Sequence, residues 1–364
     1  MWARESGIPK IIFSVREPIA IEENIEADRF LSLTLKSLET MATKVFKSGL
    51  GAPEEIFCVL SSLFYVSQTR IIEFKKNTPF LFNSKLADSL IQKEITLFKE
   101  EHLNKYLRAG SPVRLIELKN IKTALNGYET SVPLNQKAKE LEMTIFISMG
   151  AEQILDKIGD TIKKHFHGVS IKFSSLALSS FAVVRDMHAH SENFLLINIG
   201  GEVTEISIIK KNILRESISF PLGLNFLIRG IAVGLHCSLG EAESYFSLFQ
   251  DGHAAEPAEK TLSSVVAKLK LEWLHQFQES LANLSNDVSV PADIYLTLDK
   301  EIASFFSETI KIEQFNQYTL TESKFTITLL DPEIFHGLAE FETNVVRDIF
   351  LIMDAIYINR FLKL

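Results

Sequence analysis

An α/β fold is predicted by three features of the sequence. Strand-like apolar runs alternate with segments of helical periodicity, residues from about 79 to 168 turn into a more charged mixture of helices and strands, and an apolar hairpin at Phe194 to Lys210 is broken by adjacent glycines. With 364 residues, 46% hydrophobic and 23% charged, the chain can bury one large core or two moderate ones. Its net charge of -8, without an extended basic cluster, excludes a broad nucleic-acid surface. The two cysteines, Cys58 and Cys237, sit in separate apolar segments and suggest buried thiols of a cytosolic protein, not a disulfide framework or a zinc site. Met1 to Lys10 lacks the apolar core of a signal peptide, and no run reaches about 18 apolar residues, so contact with a membrane is expected to be peripheral or through a partner.

Taken in order, Ile11 to Val15 predicts a short strand. Ile25 to Lys47 places Phe30, Leu31, Leu35, Leu38, Ala42, Val45 and Phe46 on one helical face, and Gly49 and Gly51 close that helix. Strands follow at Ile56 to Leu63 and Phe64 to Phe74. The unit from about 79 to 168 combines helices at Lys85 to Leu107 and Glu152 to His165 with strands at Val113 to Leu118 and Leu141 to Ser148. Phe194 to Ile199 and Val203 to Lys210 form the hairpin around Gly200 and Gly201. Residues 223 to 288 read as mainly helical, Ile294 to Leu298 as a strand, and Glu333 to Leu364 as a long closing helix. No internal repeat or low-complexity linker separates these units, so they are expected to touch.

Two adjacent glycines between strands permit either a plain tight turn or a close approach of backbone N–H groups to a phosphate. The wider order of motifs bears on that choice. Asn198-Ile199-Gly200-Gly201-Glu202-Val203-Thr204-Glu205 lies in register with a phosphate hairpin of the form Asp-Ile-Gly-Gly-Gly-Thr-Thr-Asp. Phe220-Pro221-Leu222-Gly223-Leu224-Asn225 matches a Pro-x-Gly-Gly segment that opens a helix. Leu125-Asn126-Gly127-Tyr128, with Pro133 and Leu141-Glu142, and Ser175-Leu176-Ala177-Leu178-Ser179-Ser180 complete the series. Over roughly residues 10 to 364 the chain resembles the FtsA/PilM branch of the actin-like ATPases. The resemblance implies an actin-like (RNase H-like) fold of two lobes with an inserted small α+β subdomain. The first lobe would take residues 1–75 and 169–189, the insertion 76–168, and the second lobe 190–364 with a helical insertion at 223–288.

Where the chain departs from the family, it loses chemistry. The acidic residue at the hairpin's first position is Asn198, which is neutral and cannot serve as a base. The third glycine is Glu202, a carboxylate that would repel a triphosphate. Val203 replaces a hydroxyl donor, and Glu205 keeps the charge of the last Asp with one more methylene. The adenosine loop Leu-Thr-Gly-Gly-Gly-Ala becomes Leu296-Thr297-Leu298-Asp299-Lys300-Glu301, whose side chains would fill the nucleotide's place. No Asp-x-Gly-x-x-Ser turn precedes Ile11, so the first phosphate loop is expected to be absent from this chain. Carried over position by position, the resemblance makes Asn198, Gly200, Gly201, Thr204, Glu205, Gly223 and Thr297 the remains of a nucleotide site. It leaves ATP with magnesium as the one cofactor in question and assigns no catalytic residue.

Other constellations carry less. His165-Phe166-His167 and His188-Ala189-His190 have a spacing that metals use, but no third ligand supports them, and no metal site is expected. Nor does any Gly-x-Ser-x-Gly nucleophile elbow occur. Among 27 phenylalanines, Phe246, Phe249, Phe305, Phe306 and Phe341 read as core before interface. The apolar face of Asn344 to Leu364 lacks the basic polar face of a membrane-surface helix and suits a packed last helix. The expected function is a scaffold similar to FtsA or PilM, with degenerate or lost ATP binding. It would associate with itself and dock the cytosolic tail of a membrane-bound pilus-assembly or cell-division protein, in the cytoplasm at the inner face of the cell membrane. An active ATPase whose polymerisation is nucleotide-controlled is the alternative.

Overall fold

The computed structural model describes residues 2–3, 7–106, 112–251, 258–284, 289–312 and 325–362. Strands β1 (Trp2–Ala3) and β2 (Pro9–Ile11) pair antiparallel, and an extended stretch, residues 12–26, leads from them to α1 (Ala27–Lys47). That helix forms because Leu31, Leu35, Leu38, Ala42 and Val45 recur at helical spacing and pack inward. Asp28 in its first turn and Lys44 and Lys47 in its last complement the helix dipole, and Gly49, at φ 76°, takes the left-handed conformation just beyond it.

Next come β3 (Glu55–Leu60), β4 (Val66–Phe82), α2 (Ser84–Tyr106), β5 (Val113–Leu125), the short β6 (Tyr128–Glu129), β7 (Gln136–Ala151), α3 (Glu152–Lys163), β8 (Ser170–Ser175) and α4 (Leu176–Met187). The hairpin β9 (Phe194–Ile199) and β10 (Thr204–Lys210) continues into β11 (Ile213–Phe220), followed by α5 (Leu224–Leu235), α6 (Leu239–Gln250) and α7 (Ala258–Leu284). The rest is β12 (Asp293–Thr297), α8 (Ala303–Ile312), β13 (Thr326–Leu329), β14 (Glu340–Phe341) and α9 (Ile349–Tyr357), which runs on into a π turn at Ile358–Leu362.

Nine strands share one sheet in the order β13-β12-β9-β10-β11-β4-β7-β5-β6. Its two halves meet at a narrow seam, where β11 and β4 pair only at Glu216 and Gln68 and Thr69 Oγ1 donates to the Leu214 carbonyl. Separately, β3 and β8 run parallel, and β14 joins β2. All six residues of β9 are buried because both faces of the sheet are covered there. Leu196, Ile209 and Tyr295 face a first core with α1, α3, α4 and α9, whereas Leu195, Ile197, Ile206, Ile208 and Leu296 face a second core with α5 to α8. A third core lies between α2 and the β4-β7-β5 strands, around Phe98, Ile145 and Ile147.

Several elements differ from expectation. The first strand ends at Ile11, where the chain leaves the sheet for contacts elsewhere. β4 runs past Phe74 to Phe82 because a register shift between Lys75 and Phe80 accommodates Pro79. β5 and β7 also extend farther than their apolar stretches suggest. The long closing helix does not form. Gly337 and Asn344 sit at φ 80° and 69°, β14 intervenes, and helix begins only at Ile349. The apolar face of α9 is spent on α4 and the first core. Phe246 and Phe306 are buried in the second core, Phe249 and Phe305 pack on it, and Phe341 packs on the first. Expected helical residues 107, 252–257, 285–288 and 363–364 lie outside the described residues. Among those described, no helix is long and apolar enough to cross a membrane.

Candidate functional site

The residues expected to line a nucleotide site divide between structural roles. Gly200 N–H donates to Val203 O at 2.9 Å, closing the turn between β9 and β10. The first two N–H groups of α5 donate back into that turn, Leu224 to Gly200 O at 3.0 Å and Asn225 to Gly201 O at 2.7 Å. Gly223 makes this approach possible, because a Cβ there would lie 2.3 Å from Gly200 O. Those helix N–H groups are the donors a helix terminus offers an anion, and here the hairpin's own carbonyls take them.

Glu202 projects into the same place. Its carboxylate accepts from Asn225 Nδ2 at 2.7 Å and receives Arg229 in a two-pronged pair, Nη2 to Oε1 at 2.7 Å and Nη1 to Oε2 at 2.8 Å. Arg229 Nε also donates to Glu22 O at 2.7 Å, drawing in the extended segment 12–26. This segment straps the two cores together. Ile21 packs on the second core, Ser37 Oγ from α1 donates to Pro18 O, and Arg16 grips Asp299 with bonds of 2.6 and 2.7 Å. Asp299 belongs to the stretch Leu296 to Glu301 that the sequence comparison sets against an adenosine loop.

Strand alternation splits the remaining residues. Thr204 faces the second core, where its hydroxyl donates to Leu222 O at 2.7 Å and accepts from Trp273 Nε1 at 3.2 Å. Register aligns Thr297 with Asn198 and Asn198 with Glu205, so these three form a row across β12, β9 and β10 on the first-core side. Among the described residues, Asn198 Oδ1 and Thr297 Oγ1 are buried without a hydrogen-bond partner. Glu205 accepts from Tyr65 OH at 2.9 Å, and Tyr65 OH in turn accepts from Ala177 N–H at 3.0 Å. Burial pushes the Glu205 carboxyl up to about 7, against the opposing effect of the Tyr65 bond.

A second polar knot, unforeseen in the sequence, joins β5 to the end of β8 next to a surface groove. Glu117 Oε2 accepts from Ser175 N–H at 3.0 Å, Ser175 Oγ at 2.5 Å and Ser148 Oγ at 3.2 Å, while Oε1 accepts from Tyr357 OH at 3.0 Å. Ser175 caps α4, so the carboxylate sits at that helix's positive end. Nearby, Ser179 Oγ donates to Asp354, whose carboxyl is raised to about 7 chiefly by burial. The groove itself has a volume of about 480 Å³ and is lined by Arg114, Ile116, Asp156, Gly159, Lys163 and Phe173 among others. Over Val113 to Thr123 β5 pairs with β7 alone, and β8 pairs with β3 alone, so two strand edges face each other across it. The histidine pairs build nothing comparable. His165 Nε2 contacts Thr43 Oγ1, His188 stacks on Tyr295 at 4.4 Å, and no metal-holding group of three appears among the described residues.

No family model matches the sequence, and no curated protein matches it. Solved structures do resemble the fold. A structure described as the PilM-PilN type IV pilus biogenesis complex aligns with a TM-score of 0.57 at 11% identity, covering 89% of this chain and 84% of that one. Ethanolamine utilization protein EutJ from Carboxydothermus hydrogenoformans aligns over 56% of this chain and 60% of its own at 14% identity, with a TM-score of 0.34. A Bacteroides thetaiotaomicron protein described as having an actin-like ATPase fold covers 81% of this chain and 76% of its own at 8% identity, with a TM-score of 0.35. The first of these carries the assignment, and the chain has the two-lobe actin-like fold. Within that class its architecture is similar to that of the PilM-PilN structure.

Gly223→Ala should lower the thermal midpoint, at a cost of about 1–3 kcal/mol from forced backbone movement. Gly240→Ala, in open space on α6, should be neutral or mildly stabilising, and scanning calorimetry of both compares them directly. Glu205 supplies a pH test. Its folded value of about 7 exceeds the ordinary 4.5, so between these the folded protein keeps a proton that the unfolded chain releases. Stability should therefore fall as pH rises through that window, by on the order of 1–3 kcal/mol, and Glu205→Gln should flatten the difference in urea titrations.

Proposed function

We propose that this protein is a non-hydrolysing actin-like scaffold that grips the extended cytosolic tail of a membrane-bound assembly protein, of a pilus or a division machine. The observation that carries this reading is the groove between the facing edges of β5 and β8. An extended peptide laid there gains main-chain hydrogen bonds from strand edges, while alternate side chains meet the groove walls. The walls offer mixed recognition, since Arg114 and Lys163 stand beside Asp156 and Asp160 and Phe173 supplies an aromatic surface. The structure of similar fold holds PilM with PilN, which supports a partner of this kind. Residues 1–75 with 169–189 would form the first lobe, 76–168 the insertion that brings β5 to the groove, and 190–364 the second lobe. Location at the inner face of the cell membrane would follow from the partner, and self-association completes the scaffold role.

The residues present do not fit a triphosphate. Glu202 puts a carboxylate where an anion would approach α5, the helix's leading N–H groups are already bonded, and Arg16 pairs with Asp299 of the stretch Leu296 to Glu301. Asn198, Gly200, Gly201, Thr204, Glu205, Gly223 and Thr297 serve, on this reading, to hold the lobe together.

Isothermal titration with ATP and magnesium should give no binding heat; micromolar affinity would revive the nucleotide-controlled alternative. The groove is tested by Gly159→Leu, which should fill it without disturbing the fold, since a Cβ at that position meets only Ile171 Cδ1, at 4.0 Å. Co-purification of a membrane protein from detergent extracts should drop about tenfold or more in this variant. Capture at the wild-type level would remove the groove from the mechanism.

A further inference from the structure

At the ends of β4, β5 and β7 opposite Glu117, the loop of residues 126–135 exposes a cluster of apolar side chains. Tyr128 is 80% exposed, Val132 69% and Leu134 45%, and Leu81 on the adjoining strand is 47% exposed. The loop is held in place. Asn126 Oδ1 accepts from the N–H groups of Lys139 and Glu140 at 2.8 and 3.2 Å, Asn135 N–H donates to Phe82 O at 2.7 Å, and Gln136 Nε2 donates to Val132 O at 2.6 Å. Asn126, Gly127 and Asn135 adopt positive φ, fixing a tight turn that holds the apolar residues outward.

Charge is segregated around this tip. Lys75, Lys76, Lys137 and Lys139 are exposed beside it, in a chain whose net charge is -8; Lys75 lies 3.8 Å from Glu140, and Glu129 pairs with Lys122 at 3.6 Å. The next cross-strand pair toward the body, Glu73 and Glu142, is acidic, so the positive region is confined to the end. An aromatic and two aliphatic side chains ringed by lysines match the chemistry of an anionic bilayer surface, where the apolar groups enter the headgroup layer and the ammonium groups meet lipid phosphates. A convex loop offers no groove for a peptide, and clustered lysines disfavour pairing with another copy of the same tip.

We propose that this tip is a lipid contact: Tyr128, Val132 and Leu134 insert shallowly into an anionic membrane while Lys76, Lys137 and Lys139 bind its phosphates. The contact is weak alone and adds to whatever a membrane-bound partner supplies through the groove, because tethering converts the second contact into an intramolecular one. It goes beyond the scaffold reading and stands independently of it.

The test is flotation of the full chain with vesicles of phosphatidylcholine, with and without phosphatidylglycerol. The chain should float with the anionic vesicles only, and salt should release it. The triple variant Tyr128→Ser, Val132→Ser, Leu134→Ser should bind at least about fivefold less, and Lys137→Glu with Lys139→Glu should abolish binding. Unchanged circular dichroism establishes that the exposed substitutions leave the fold intact. Failure of the wild type to bind anionic vesicles, or equal binding by the triple variant, overturns the proposal. Loss of self-association in the triple variant with lipid binding unaltered would assign the tip to a second copy instead.

Discussion

The buried carboxylate of Glu117 is the joint on which the arrangement depends. A charge withdrawn from water costs several kcal/mol unless its lone pairs are filled, and here four donors from three distant segments fill them at a helix N-terminus. A register shift in β5 between Leu115 and Glu117 aims the side chain across the gap to β8. The gap is thus bridged by side chains, Glu117 to Ser175 and the Arg114 guanidinium 5.6 Å over the Phe173 ring, and, among the described residues, not by a backbone ladder. Tyr357 brings α9 to the same carboxylate, and Ser175 brings α4, so groove spacing and first-core packing are one mechanical problem.

The first and second cores are cross-linked by the extended segment at residues 12–26. Arg16, Ile21 and the Glu22 carbonyl run from the first core to Asp299, the second core and Arg229. Together they supply a paired charge, a buried apolar group and an acceptor for a cation. Glu202 plays the anion. Because the cross-link belongs to the chain itself, it is present in every copy of the fold.

How much of this the sequence discloses varies by element. The hairpin at Phe194 is legible because a strand buried on both faces must be apolar throughout, and glycines mark its turn. α1 is legible from its stripe. The closing helix is misread because apolar composition continues through Asp331 to Asp348 while Gly337 and Asn344 set turns within it. The split of Thr204 and Glu205 is legible too, since neighbours on a strand point to opposite faces. Glu117, Tyr65 and Tyr357 carry no such sign, since their bonds join residues 31 to 240 positions apart, and only tertiary folding brings these partners together.

The seam at Glu216 and Gln68 has a consequence for load. Tension on a segment held in the groove would pull on β5, and β5 and β7 share a long antiparallel ladder whose bonds resist shear together. That load passes to β4 by another long ladder, but from β4 to β11 only one backbone pair and the Thr69 hydroxyl continue the path. The sheet therefore behaves as two stiff plates with a thin crease between them. Within the sheet, force applied at one plate reaches the other across that crease, while the first core, which packs Phe146 of β7 with Leu196 of β9 and Ile209 of β10, couples the plates on one side.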